Sequence, residues 1–178
     1  AAGNHAHIFV SAWDQNVAFL GPNYITSNTT TVAQEFAGYD TVRGIIPATS
    51  ISVNSPALLA TVGPTDNLRV TGPIAALVDD MTVNSLAMIN TTATNFALMD
   101  STKVLTITSG GIVSANNHSI SGVTITADAA PLYVTQTNGT LTINSIIGGT
   151  SNGLGVVYSG PASTVIGGGF FGLSGDNT

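Results

Sequence analysis

The chain has 178 residues, of which 7% are charged, against about 25% in an ordinary soluble domain. Its three basic residues, Arg43, Arg69 and Lys103, cannot neutralise a run of phosphates, and with a net charge of −6 this excludes nucleic-acid binding. The absence of cysteine excludes disulfides and thiolate metal sites without identifying a compartment.

Thr, Ser, Asn and Gly solvate this chain in place of charge, a composition that suits hydrogen-bonded stacking outside the cell better than a crowded cytosol. No run approaches the roughly 18 apolar residues of a membrane helix, so no membrane span is expected. Ala1-Ala2-Gly3 is preceded by no basic or long apolar region and reads as a processed end or as the start of a trimmed fragment. Length allows one or two domains, divided here into a β-rich segment over 1–65 and a second unit over 66–178.

In chain order, His7 to Trp13 (HIFVSAW) is the most aromatic strand candidate. It either pairs with Val17 to Leu20 (VAFL) or caps a stack of coils. Alternatively, it adds to a neighbouring subunit's sheet as an assembly strand anchored by Ile8, Phe9, Val10 and Trp13. Only Val32 to Ala37 and Pro56 to Val62 tolerate helix, and both read as short and uncapped. Beyond them Lys103 to Thr108 (KVLTIT), Gly122 to Ala127 (GVTITA) and Thr140 to Ser145 (TLTINS) alternate aliphatic residues with Thr or Asn. That period of two marks strands with one buried face, placing Ile107, Ile125 and Ile143 inward and Thr106, Thr124 and Thr142 outward. Gly110-Gly111, Asn116-Asn117, Asn138-Gly139 and Gly148-Gly149 read as the turns between strands.

The longer strands, beginning near Val83, Val104, Val123 and Leu141, recur with a period close to 19 residues. Shorter ones fall between them at Ile112-Val113, Leu132 to Val134, Val156 to Tyr158 and Thr164 to Ile166. One long and one short strand per period is the pattern of a β-helical coil. The expected class is all-β, parallel β-helix-like in the C-terminal half, with a hairpin-built β-sandwich or jelly roll as the alternative.

Several segments, in order, resemble the autotransporter-associated β-strand repeat proteins of bacteria. They are DNLRV (66–70) with Thr71-Gly72, MTVNSL (81–86), LTITSGGIV (105–113), LYVTQ (132–136), LTINSII (141–147) and Tyr158-Ser159-Gly160-Pro161. In that family a TVNSL strand leads to LTLTSGGIL, an LxVHQ-like strand, LTISSVI and a Ser-Gly-Pro-Gly turn. The likeness spans residues 66–160. After it this chain reads STVIGGG (163–169), where the family continues through GTLVLSGANTYTG, and no C-terminal membrane barrel follows. The resemblance implies a β-helical passenger-like fold and an exported, surface-associated setting.

Candidate chemistry is sparse. His5 and His7 alternate in a terminal strand, which would set both on one side as a weak metal site, but they read as exposed histidines of a mobile end, and His118 reads as a solvent-exposed turn residue. No Gly-x-Ser-x-Gly elbow accompanies a Ser/His/Asp set. A polysaccharide lyase needs clustered carboxylates or calcium with a basic partner. Asp79-Asp80 is the only adjacent acidic pair, and Lys103 the only cation near the second-half strands. Asp66 with Asp79, or Asp100 with Asp128, are the pairs a glycosidase would bring together, and all read as solvated turn acids. Asp66-Asn67, Asp79-Asp80 and Asp176-Asn177 offer oxygen ligands but match no established calcium loop. Asn28, Asn90, Asn117 and Asn138 head glycosylation sequons, which arise by chance in a chain this rich in Asn and Thr.

The expectation is therefore a non-enzymatic protein with no catalytic residues, no metal and no cofactor. It is extracellular or on the cell surface, and it self-associates as a homo-oligomer or homopolymer in a layer or filament through strand addition. The alternative is a carbohydrate-binding adhesin or passenger module that meets surface glycans through Trp13, Tyr24, Tyr39 or Tyr133.

Overall fold

A computed structural model of the chain describes residues 15–27, 34–72, 74, 77, 79–89, 94–97, 102–127, 131–148, 156–168 and 170–171. Among the described residues the protein is all-β apart from one helical turn. Strands β1 (Ile25–Ser27), β2 (Gln34–Asp40) and β3 (Gly44–Pro47) form a small antiparallel sheet. Val17 to Leu20 also joins β2, with Val17 N donating to Tyr39 O and Leu20 N to Ala37 O, each at 2.8 Å. The stretch from Val32 to Ala37 is thus strand from Gln34 onward.

The other helix-tolerant stretch does contain a turn of helix, α1 (Pro56–Leu59), and it is capped. Ser55 has extended dihedrals and its Oγ accepts from Leu58 N, while Pro56 begins the helix. A Ser N-cap followed by Pro at the first helical position is a helix start that the sequence carries openly.

The remaining strands are β4 (Ile51–Val53), β5 (Asn67–Val70), β6 (Met81–Met88), β7 (Thr94–Ala97) and β8 (Val104–Ala115). They continue as β9 (His118–Thr126), β10 (Leu132–Asn138), β11 (Thr140–Gly148), β12 (Val156–Ser159), β13 (Ser163–Ile166) and β14 (Phe170–Phe171). All their described pairings are parallel. Hairpins, from which a sandwich is built, would make antiparallel pairs, and among the described residues these occur only around β2.

Register divides the parallel strands into three columns. The first contains the start of β6, the start of β8, and the ends of β9 and β11, followed by β14. The second contains β4, β5, the ends of β6 and β8, then β10 and β12. The third holds β7, the starts of β9 and β11, and β13. The boundary between residues 65 and 66 falls between β4 and β5, which are paired in the second column.

A 19-residue period would superpose Ile107, Ile125 and Ile143. The register instead sets Ile107 beside Val83, Ile125 between Leu105 and Ile147, and Ile143 between Ile120 and Ile166. From Ile120 to Ile143 to Ile166 the chain advances 23 residues each time, because each circuit crosses three columns rather than two.

All three isoleucines are nonetheless fully buried in one core that runs from Val53 and Leu59 to Ile147, while Thr106, Thr124 and Thr142 are half-exposed. Alternation lapses at Ala115, which is buried with Ile89, and where the antiparallel sheet covers the second column. There Phe36 and Ala48 pack on Ala87 and Val113, the outward partners of the inward Leu86, Met88 and Ile112. Strands buried on both faces lose their polar half. Arg69 Nη1, 3.0 Å from Glu35 Oε1, ties β5 to β2 beside this contact.

Replacing Ile125 by Asp places an unpaired charge among Leu105 and Ile147, and is expected to cost upwards of about 4 kcal/mol, enough to prevent folding. Thr124→Asp, on the half-exposed face, is expected to stay within about 0.5 kcal/mol. Urea unfolding followed by circular dichroism reads both; equal effects would show the register to be wrong.

Candidate functional site

The interior between columns is aliphatic, but two corners are polar. At the corner between the first and second columns Asn67 is buried. Its Nδ2 donates to Thr49 O at 2.8 Å, and its Oδ1 accepts from Asn84 Nδ2 at 2.7 Å and Ser85 Oγ at 2.8 Å. Thr108 Oγ1 then donates to Asn84 Oδ1, and Ser109 Oγ to Asn84 O at 2.6 Å. Each circuit's amide or hydroxyl therefore bonds to the previous circuit's bend, where sheet pairing breaks off.

The corner between the second and third columns repeats the device. Buried Gln136 donates through Nε2 to the carbonyls of Asn116 and Asn138. Thr137 Oγ1 donates to Ser114 O at 3.1 Å, Asn138 Nδ2 to Asn116 Oδ1, and Thr140 N to Asn117 Oδ1 at 2.9 Å. Gly139, with φ of +73°, crosses this corner closely. A Cβ there would lie 2.7 Å from the carbonyl carbon of Asn116, so only glycine fits both the dihedral and the space. The two sequon residues Asn117 and Asn138 thus serve the corner itself.

His118 belongs to this corner too, which corrects its reading as an exposed turn residue. It is buried at the start of β9, stacked beside Leu141, with Nδ1 3.0 Å from Ser114 Oγ. Burial pushes its pKa below the ordinary histidine value. The Asn-Asn turn before it suggested exposure, whereas its burial is set by a strand one circuit later.

The acidic candidates are spread among structural tasks. Asp66 Oδ2 accepts from Gly63 N at 2.8 Å, and Asn67 is committed to the corner rather than to a cation. Asp79, with 89% of its side chain exposed, pairs with Lys103 at 3.7 Å. Asp80 Oδ1 accepts from Val104 N at 2.9 Å. Both border a cleft of about 450 Å³ between α1 and the start of β6, floored by Leu59, Leu77 and Met81. Among the described residues no three His, Asp or Glu side chains gather to hold a metal.

Ile8, Phe9, Val10 and Trp13, together with His5 and His7, lie outside the described residues, as do Asp100, Asp128, Asp176, Asn177, Asn28 and Asn90. Of the tyrosines offered as sugar platforms, Tyr39 is buried in β2, Tyr133 is half-buried in β10, and Tyr24 is exposed.

The two ends of the stack differ. At the β4 end α1 packs against the first strand of the second column and sends Leu59 into the core. At the other end Val156, Tyr158, Thr164 and Ile166 occupy the positions that follow the fully buried Leu132, Val134, Leu141 and Ile143, yet none of them is buried. Tyr158 is 47% exposed and helps line a cavity of about 430 Å³ with Gly160, Thr164 and Ile166. Val157 and Val165, on the outward face, are 44% and 49% exposed. The local sequence does not announce this face, because VVYS and STVI alternate like any interior strand.

No family model, no curated protein and no solved structure matches this chain. Among the described residues no helix is long and apolar enough to cross a membrane.

His118 gives the corner a pH dependence. Because the folded state favours the neutral ring, the unfolded chain binds more protons below its ordinary value of about 6.5. Stability contributed by neutral His118 is therefore complete above that pH and lost as pH falls toward the lower folded value. Denaturant titrations between pH 7.5 and 5 should show a steeper loss in the natural chain than in His118→Gln. Parallel curves would mean that His118 does not titrate across this window.

Proposed function

We propose that this chain is a non-enzymatic structural protein of the cell exterior, a β-helix of the autotransporter-associated repeat type whose copies associate through added β-strands. The observation that carries the reading is the three-column register, in which the chain returns to the same column with its aliphatic residues in line. Such a stack is extended by any strand that repeats the pattern. Support also comes from the inward positions at one end of the stack, where among the described residues Tyr158 is exposed and Val156, Thr164 and Ile166 are only half-buried. Open sheet edges with little repelling charge favour assembly.

The non-enzymatic part rests on what the candidate groups do. Asp79 holds Lys103, Asp80 holds the backbone of β8, and His118 is buried against Ser114. Polysaccharide turnover that disappeared in Asp79→Ala, with the fold intact, would overturn this part. A second reading, a carbohydrate-binding adhesin or passenger module, draws on the exposed rings of Tyr24 and Tyr158. A screen against surface glycans separates it from self-association.

Deleting residues 1–13 removes Ile8, Phe9, Val10 and Trp13, and is expected to abolish most concentration-dependent light scattering. The β signal in circular dichroism should persist, because the aliphatic core begins at Val53. Raising salt should weaken the intact polymer little, since few charges exist to be screened. Undiminished scattering would exclude the terminal segment as connector.

A further inference from the structure

We propose that the free edge of β12, with the cavity beside it, receives the segment His7 to Trp13 of a second copy as an added parallel strand. This inference rests on the self-association reading and identifies its acceptor. Among the described residues β12 pairs with β10 on one side only, and no described strand takes the backbone donors and acceptors of its other side. One more strand would bury Val156 and Tyr158 as β12 itself buries Leu132 and Val134.

The alternation of the incoming segment matches. With Ile8 set beside Val156, Val10 falls beside Tyr158 on the inward side. Phe9 then falls beside the exposed Val157, and Ser11 beside Ser159 on the outward side. A parallel neighbour already meets Ser159 in this way, since Thr135 Oγ1 and Ser159 Oγ lie 2.7 Å apart.

Charge permits the contact. Residues 156–166 contain no acidic or basic side chain, and neither does 8–13, although the chain carries a net charge of −6. Pairing these two segments buries no lone ion. The opposite end of the stack does not offer an equivalent place, because α1 packs on β4 and fills the core with Leu59. A strand added at β12 leaves that helix in place.

The chain has no cysteine, so an engineered pair reports unambiguously. Paired strands run about 4.8 Å apart, within the roughly 4.4–6.8 Å between Cα atoms that a disulfide spans. Full-length Phe9→Cys and Val157→Cys variants, one carrying a mass tag, are mixed and oxidised, with light scattering recorded in parallel. The expected main product is the disulfide-linked heterodimer, and the double variant should give a ladder of linked multimers. A double variant that closes only an internal bridge would show that the segment adds to its own subunit, and would overturn the proposal. Polymers that form without a 9–157 link would overturn this acceptor while leaving self-association standing. Absence of any assembly at high concentration would sink the self-association reading itself, and this inference with it.

Discussion

Parallel main-chain pairing in fixed register is the constraint on which the rest of the structure depends. Once Leu68 points inward, its partner Leu86 must point inward too, and so must Ile112 and Val134 in turn. A slip of one residue would turn every side chain of a strand to the opposite face. Circuits of unequal length therefore have to absorb their extra residues somewhere, and they do so at the bends. The register shifts lie between Val83 and Ser85, between Gln136 and Asn138, and between Asn144 and Ile146, each where a strand passes from one column to the next or reaches its corner.

Bends cost backbone hydrogen bonds, and the polar corners restore them. Asn is suited to that place because one amide both donates and accepts, as Asn67 does between Thr49 O on one side and Asn84 and Ser85 on the other. The same logic carries a penalty. A buried corner side chain with one group left over, such as His118 with its unpartnered Nε2 or Gln136 with its Oε1, is where a second proton or a lost partner is felt most. The aliphatic columns confer stability without specifying much beyond size, whereas the corners fix where each circuit turns.

The alternation of KVLTIT, GVTITA and TLTINS was legible in the sequence because it is local, and the inward and outward faces it implies are those observed. Circuit length was less legible. β9 carries two columns in one strand, His118 to Ser121 in the third and Thr124 to Thr126 in the first, with only Gly122, at φ of +85°, to mark the bend. Taking Val123 to Ile125, at the first column, and Leu141 to Ile143, in the third, as successive members of one series shortens the apparent period. Burial imposed from a distance left no local trace at all. Val113 looks like any strand residue until Phe36 covers it, and His118 looks like part of an Asn-rich turn until Leu141 stacks beside it. The cap at Ser55 differs from these: Ser-Pro before an apolar pair was a local signal, outweighed only by the strand-like character of everything around it.

The scarcity of charge with which the sequence opens is itself a consequence of the stacking. In a parallel in-register column each side chain has a neighbour about 4.8 Å away in the next circuit. Repeating a charge along such a ladder would cost about 1 kcal/mol per pair in water and several times that near a protein surface. Among the described strands of the parallel sheet, Arg69 is the one residue of the Asp, Glu, Lys and Arg set. Its column neighbours are the uncharged Ser52 and Ala87, and its guanidinium is matched by Glu35 from the covering sheet. The other described charges sit before or between strands, at Arg43, Asp66, Asp79, Asp80 and Lys103, or on β2 at Glu35 and Asp40. A surface cleared of ladder charges for internal stacking is equally clear for a strand from outside. The composition that lets parallel strands stack in register therefore leaves geometry, rather than charge, to decide which strand pairs with which.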